Sequence, residues 1–91
     1  MGVYFYFYNW TTGEKNTKPL KYNSGLHWIP KFTGDIEIFQ YVIDINGWDV
    51  NDQICACGDN NTDLYIYENG VVTYEYYACH DSVDQVKYDP Y

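Results

Sequence analysis

Asn69-Gly70 stands between two runs rich in β-branched and aromatic residues, Leu64 to Glu68 and Val71 to Tyr77. No other feature of the chain restricts its fold as much. A two-residue hairpin turn needs positive φ at its centre, and Asn-Gly adopts that backbone at little cost. The turn also fixes the register. It sets Glu68 opposite Val71, Tyr67 opposite Val72, Ile66 opposite Thr73 and Tyr65 opposite Tyr74. One face then carries Tyr65, Tyr67, Val72, Tyr74 and Tyr76; the other carries Leu64, Ile66, Val71, Thr73 and Glu75. Neither face is wholly apolar, so the pattern leaves open which one packs inward. A lone hairpin is marginal in water, so other segments must cover it.

Val3 to Tyr8 supplies a second strand by strict alternation. Val3, Phe5 and Phe7 form the better core face, and Tyr4, Tyr6 and Tyr8 suit a half-covered one. Gln53 to Cys57 reads as a further short strand. Leu26 to Phe32 reads as an edge strand, because Pro30 cannot sit in the middle of a sheet. Asn9 to Ser24, polar and with Gly13 and Pro19, reads as a loop or an irregular hairpin arm.

Asp35 to Asn46 is the helix candidate. Thr33 or Asp35 can cap it, Ile36, Phe39 and Ile43 form a stripe widened by Val42, and Asn46-Gly47 is a stop. Its β-branched residues argue for a strand instead; the caps and the spacing favour a helix. The acidic tail, Ala78 to Tyr91, reads as a short helix or an extended segment. These pieces make one α+β domain over residues 1–91. It is a small antiparallel sheet, the N-terminal strand plus the C-terminal hairpin 64–77, packed against one helix at about 35–46.

Twelve tyrosines, four phenylalanines and three tryptophans give this short chain its buried area. No apolar run reaches the roughly 18 residues of a membrane span. The apolar opening lacks the basic flank and cleavage site of a signal peptide. Three cysteines, an odd number, fit a reduced cytoplasmic protein better than a disulfide scaffold.

The charge is segregated. Up to Gly34 there is one acid, Glu14, against four lysines; from Asp35 onward there are twelve acids and only Lys87. Arginine is absent and the net charge is −8. The side chain best suited to phosphate and guanine is therefore missing, which argues against direct nucleic-acid binding and against anionic membranes.

Cys55, Cys57, Cys79 and His80 could together form a Cys₃His zinc site. The Cys-Ala-Cys spacing is short for zinc, and neighbouring Cys79 and His80 tend to diverge, so core thiols are the favoured alternative and no metal or cofactor is expected. Asp59-Asn60-Asn61-Thr62-Asp63 begins like a calcium loop, but Leu64 replaces the required glycine and Gly70 the bidentate glutamate; a polar turn fits better. Cys79-His80-Asp81 are adjacent in sequence, which is not how catalytic groups usually meet in space, and no phosphate loop or nucleophile elbow occurs, so an enzyme is not expected. Tyr4, Tyr6 and Tyr8, with the hairpin tyrosines, resemble a base-stacking platform, but such a platform needs a positive groove.

The composition instead suits a surface that binds something basic. The candidate partner-binding residues are Asp44, Asp49, Asp52, Asp59, Asp63, Tyr65, Tyr67, Glu68, Tyr74, Glu75, Tyr76, Asp81 and Asp84. Carboxylates on a rigid scaffold imitate phosphate charge and speed encounter with a positive surface. The expectation is a small acidic inhibitor of a larger protein, with a nucleic-acid-binding enzyme as the partner. Phage anti-defence proteins and toxin-immunity proteins share this composition. The alternatives are a structural or assembly protein (a virion component or a homodimer) and a binder of an anionic ligand held by Lys15 to Lys31.

Overall fold

A strand that alternates Phe with Tyr has two usable faces, and β1 (Tyr4–Asn9) uses both. In the computed structural model, which describes residues 3–60 and 62–76, β1 is a central strand of a six-stranded antiparallel sheet. One edge of β1 pairs with β4 (Ile54–Gly58). The other edge is shared by β2 (Glu14–Lys15), opposite Tyr8 and Asn9, and β3 (Trp28–Pro30), opposite Tyr4 to Tyr6. Beyond β4 lie β5 (Asp63–Glu68) and then β6 (Val71–Tyr76) at the far edge. Pro30 sits on an edge strand, as its missing N–H requires.

The hairpin register is the one the turn dictates, from Glu68↔Val71 through Tyr65↔Tyr74. Asn69 and Gly70 both have positive φ, 52° and 81°. The cross-strand pairs also settle which face is inner. Phe7 pairs with Ala56, Ala56 with Tyr65, Ile54 with Tyr67 and Tyr67 with Val72, so these side chains share one face.

That face packs against α1 (Ile36–Asn46), the one helix among the described residues. The helix buries Ile38, Phe39, Val42 and Ile43. Ile36, expected in the stripe, is 41% exposed. At 3.6 residues per turn it lies about 90° round from the centre of the four buried side chains, and Ile38 takes the inner place instead. Asp35 occupies the N-cap position, but its side chain makes no capping hydrogen bond, so the helix starts without the side-chain cap the sequence suggests. The stop is as expected. Gly47 is left-handed, its N–H reaches Asp44 O at 3.2 Å, and Trp48 N–H reaches Ile43 O at 3.0 Å.

Phe32 is the hub of the core. Its ring lies 5.7 Å from Phe5, 5.4 Å from Phe7, 5.4 Å from Phe39 and 5.2 Å from Tyr65, the last three edge-on. Phe39 in turn stacks on Tyr67 at 5.2 Å and 14°. Edge and offset contacts of this kind add about 0.5–1.5 kcal/mol per pair beyond burial. The loop from Phe32 to the helix needs Gly34. Its φ is +84°, and a Cβ there would stand 2.9 Å from Tyr65 Cδ1 and 3.3 Å from Val72 Cγ1.

The second face of the sheet carries its own buried cluster, Tyr8, Cys55, Cys57 and Leu64, with Tyr6, Trp10 and Ile66 against it. Tyr8 is therefore core rather than half-covered. Cys57 is held in a disulfide, and Cys55 is a buried free thiol. This corrects the expectation of a fully reduced chain: an odd cysteine count leaves room for one bridge and one thiol. Cys79, His80 and the rest of the acidic tail lie outside the described residues.

Two buried asparagines tie the irregular arm to this frame. Asn9 Oδ1 accepts from Thr11 N at 2.9 Å and Thr12 N at 3.1 Å, while Asn9 Nδ2 donates to Asp52 Oδ2 at 2.8 Å. Asn16 Oδ1 accepts from Lys18 N and from Asn46 Nδ2, linking the arm to the end of the helix. Buried polar atoms without such partners would cost about 1–3 kcal/mol each.

Candidate functional site

At one end of the sheet, β1 finishes at Asn9, β2 begins at Glu14, β4 begins at Ile54 and β5 finishes at Glu68. The carboxyl end of α1 reaches the same end. Between helix and strands opens a cleft of about 420 Å³, lined by Gln40, Ile43, Asp44 and Gly47 from the helix end, Trp48 and Val50 from the following loop, and Tyr67 from β5. The helical residues recur at the three- and four-residue spacing that places side chains on one face. Tyr67 is fixed by its stack on Phe39. Trp48 is fixed by its indole N–H, which donates to Glu14 Oε1 at 2.8 Å.

Asp44, Asp49, Asp52 and Glu68 belong to this end, with Glu14. They differ in what their carboxylates do. Asp52 is half-buried, and its Oδ2 accepts from Asn9 Nδ2 and, at 3.1 Å, from Asp49 N. It is a brace of the loop. Asp49 is exposed, and its Oδ1 accepts from Asn51 N at 2.8 Å, closing a turn. Asp44 and Glu68 are exposed.

The remaining candidates lie elsewhere. Asp59 and Asp63 are at the opposite end of the sheet. Tyr4 N donates to Asp59 Oδ1 at 3.3 Å, and Asn60 Nδ2 donates to Asp63 Oδ2 at 2.9 Å. Thr62 N donates to Asn60 Oδ1 at 3.1 Å. These bonds join the polar groups on either side of position 61. Tyr74 donates its hydroxyl to Asp63 Oδ1. That bond to a carboxylate pushes the Tyr74 hydroxyl up to about 12, and burial followed by the same carboxylate raises Tyr65. Glu75 pairs with Leu64 and so faces the second side of the sheet. Asp81 and Asp84 lie outside the described residues.

The tyrosines divide as well. Tyr74 and Tyr76 are 49% and 55% exposed. Tyr65 is half-buried between Phe5 and Phe32, and Tyr67 is buried, so these two serve the core and the cleft wall rather than an open surface. The β1 tyrosines do not form one open row. Tyr8 is buried, Tyr4 leans on Trp28 at 4.3 Å, and Tyr6 lies 6.1 Å from His27. Of the four lysines before Gly34, Lys21 rests over Tyr22 and Tyr41, at 5.3 and 4.7 Å from the ring centres.

Cys55 and Cys57 do face the same side, as a strand requires. However, a sulfur in a disulfide is not a thiolate ligand, which removes Cys57 from the zinc set. Burial pushes the Cys55 thiol up to about 12, which makes it inert rather than reactive. Among the described residues no group of three or more His, Cys, Asp or Glu is placed to hold a metal ion.

Glu14, Gln40 and Val50 are not legible as site residues in the sequence. Glu14 is the lone acid of the lysine-rich segment, and only the β1–β2 turn brings it to the acidic end. No helix among the described residues is long and apolar enough to cross a membrane. Comparison with protein-family models, curated proteins and solved structures finds no match to this chain.

Proposed function

We propose that this chain is a small acidic inhibitor that occupies a basic, nucleic-acid-binding surface of a larger protein. One observation carries the reading. Glu14, Asp44, Asp49, Asp52 and Glu68 sit on elements that reach one end of the sheet, and the Glu14, Asp49 and Asp52 carboxylates are each held there by a hydrogen bond. Fixed carboxylates present their charge without an ordering cost at binding, and opposite fields raise the rate of encounter. The role is binding rather than catalysis, as for an anti-defence or toxin-immunity protein, and it involves no direct contact with nucleic acid or membrane. A cytoplasmic place of action belongs to this reading, since the partner works there. The disulfide at Cys57 must then persist against a reducing glutathione pool.

A pull-down from the native host, washed at low and then high salt, tests the reading. It should recover one nucleic-acid-binding protein, released as salt rises. Recovery of the chain alone, or of a partner with an acidic contact surface, would sink it. A triple variant, Asp44→Asn, Asp49→Asn and Glu68→Gln, should slow association about tenfold. An unchanged on-rate would remove this end of the sheet as the contact. Asp52 is left intact because it braces the loop.

Self-assembly is the second reading, and one feature favours it. Among the described residues β6 is an edge strand, with Val71, Tyr74 and Tyr76 exposed, a feature suited to pairing with a copy of itself. A sedimentation profile that moves with concentration would support it, and a constant monomer would exclude it.

A further inference from the structure

The cleft at the end of α1 combines four properties that together describe a receptor for a flat cation. Its lining includes two aromatic rings, the part-exposed indole of Trp48, held by Glu14, and the edge of the buried Tyr67, which is stacked on Phe39. A carboxylate, Asp44, stands at the lining with the amide of Gln40 one turn before it. The helix ends there with no basic residue in its last turn, so no charged side chain of its own offsets the negative end of its dipole. Finally, the helix stop is open, since a Cβ built on Gly47 meets nothing within 4 Å.

We propose that this cleft receives an arginine side chain from the partner protein, an inference that rests on the inhibitor reading and names what its acidic end recognises. A guanidinium stacks on aromatic faces and is weakly hydrated, so it enters a half-apolar cleft at lower cost than an ammonium. Its N–H groups suit the Asp44 carboxylate and the Gln40 side-chain oxygen, and its charge meets the helix end. The size fits, because clefts of roughly 300–1,000 Å³ hold ligands larger than one side chain, and this one sits near the lower bound. Val50, 69% exposed, gives the cleft an apolar rim against which the methylene stem can lie. Arginine-rich surfaces are common where proteins hold nucleic acid, so one inserted side chain would add selectivity to a contact otherwise made by charge alone.

Titration of the full-length ¹⁵N-labelled chain with acetyl-Gly-Arg-Gly-amide tests this, with the lysine and citrulline peptides in parallel. The arginine peptide should move the Trp48 indole N–H and the Gly47 amide saturably, the lysine peptide should bind more weakly, and the uncharged citrulline peptide should leave both signals in place. Asp44→Asn should weaken the arginine peptide about fivefold, the scale of one exposed charge pair. Asp35→Asn, the same change at the opposite end of the helix, where the side chain makes no capping bond, should leave affinity unchanged. Still signals at Trp48 and Gly47, an equal response to citrulline or lysine, or an equal loss in the two variants would each overturn the assignment. The titration reads the cleft without the partner. If it fails while the pull-down succeeds, only the arginine site falls; a pull-down that fails beside a working titration removes the inhibitor reading and leaves the site.

Discussion

The indole N–H of Trp48 donates to Glu14 Oε1 at 2.8 Å, joining two residues 34 positions apart. This bond ties the loop after the helix to the start of β2. It also sets the wall of the cleft.

Glu14→Gln keeps the acceptor oxygen and removes the charge, whereas Glu14→Ala removes both. The bond is exposed, so the alanine variant should lose about 1 kcal/mol of stability in urea unfolding, and the glutamine variant less. Trp48 should also become more mobile, read as lower fluorescence anisotropy in the alanine variant. Equal stability and equal anisotropy in both variants would show that the bond does not hold the wall.

Asn9 is fully buried and makes three side-chain hydrogen bonds. Asn9→Ala leaves two turn N–H groups and Asp52 without it, at a cost of about 2–4 kcal/mol. Denaturant unfolding should show this as a lower midpoint with little change in slope. A loss below about 1 kcal/mol would mean that water replaces the asparagine.

The thiols should behave as two kinds. Cys57 is in a disulfide and Cys55 is a free thiol with no accessible surface. In denaturant without reductant, an aromatic disulfide reagent should therefore count one thiol per chain, and in the native protein none. Protein taken directly from cells and alkylated at once gives the same count if the bridge is closed there. Reduction should lower the melting temperature, since a bridge of this kind contributes about 2–4 kcal/mol.

Tyr74 should titrate late. Its hydroxyl is pushed from 10.0 to about 12 by the bond to Asp63. The folded chain thus holds this proton more tightly than the unfolded chain. The resulting stabilisation is complete below pH 10.0 and fades as pH rises through about 12. Absorbance near 295 nm, an approximate tyrosinate wavelength, follows the ionisation, using the phenol's ordinary range as reference. Asp63→Asn should bring Tyr74 back toward that range; a titration unchanged by the substitution would break the link.

Much of the frame follows from local pattern. The turn at Asn69-Gly70 sets the hairpin register, alternation sets the inner face of β1, and Gly47 stops the helix. These features depend on neighbours in sequence. What local pattern misses depends on distant ones. Which hairpin face lies inward is decided by Phe39 and Phe32 standing over Tyr67 and Tyr65. Ile38 replaces Ile36 in the stripe because the helix orients to the sheet, not to its own first turn.

The site shows the same division. The excess of acids was plain, but its sorting was not. Asp52 looked like Asp44 in sequence; one braces a loop through Asn9 and the other lines a cleft. Asp59 and Asp63 sit at the far end, so the twelve acids beyond Gly34 do not make one surface. Glu14 joins the acidic end only through a turn.

Gly34 links the helix entry to the hairpin through an absence. Any side chain there meets Tyr65 and Val72 on two adjacent strands. The approach loop and the hairpin are therefore not free to drift independently over evolutionary time. A relative should therefore keep glycine at position 34, since the left-handed φ of +84° strains any side chain there even where smaller residues at 65 and 72 would leave room for it.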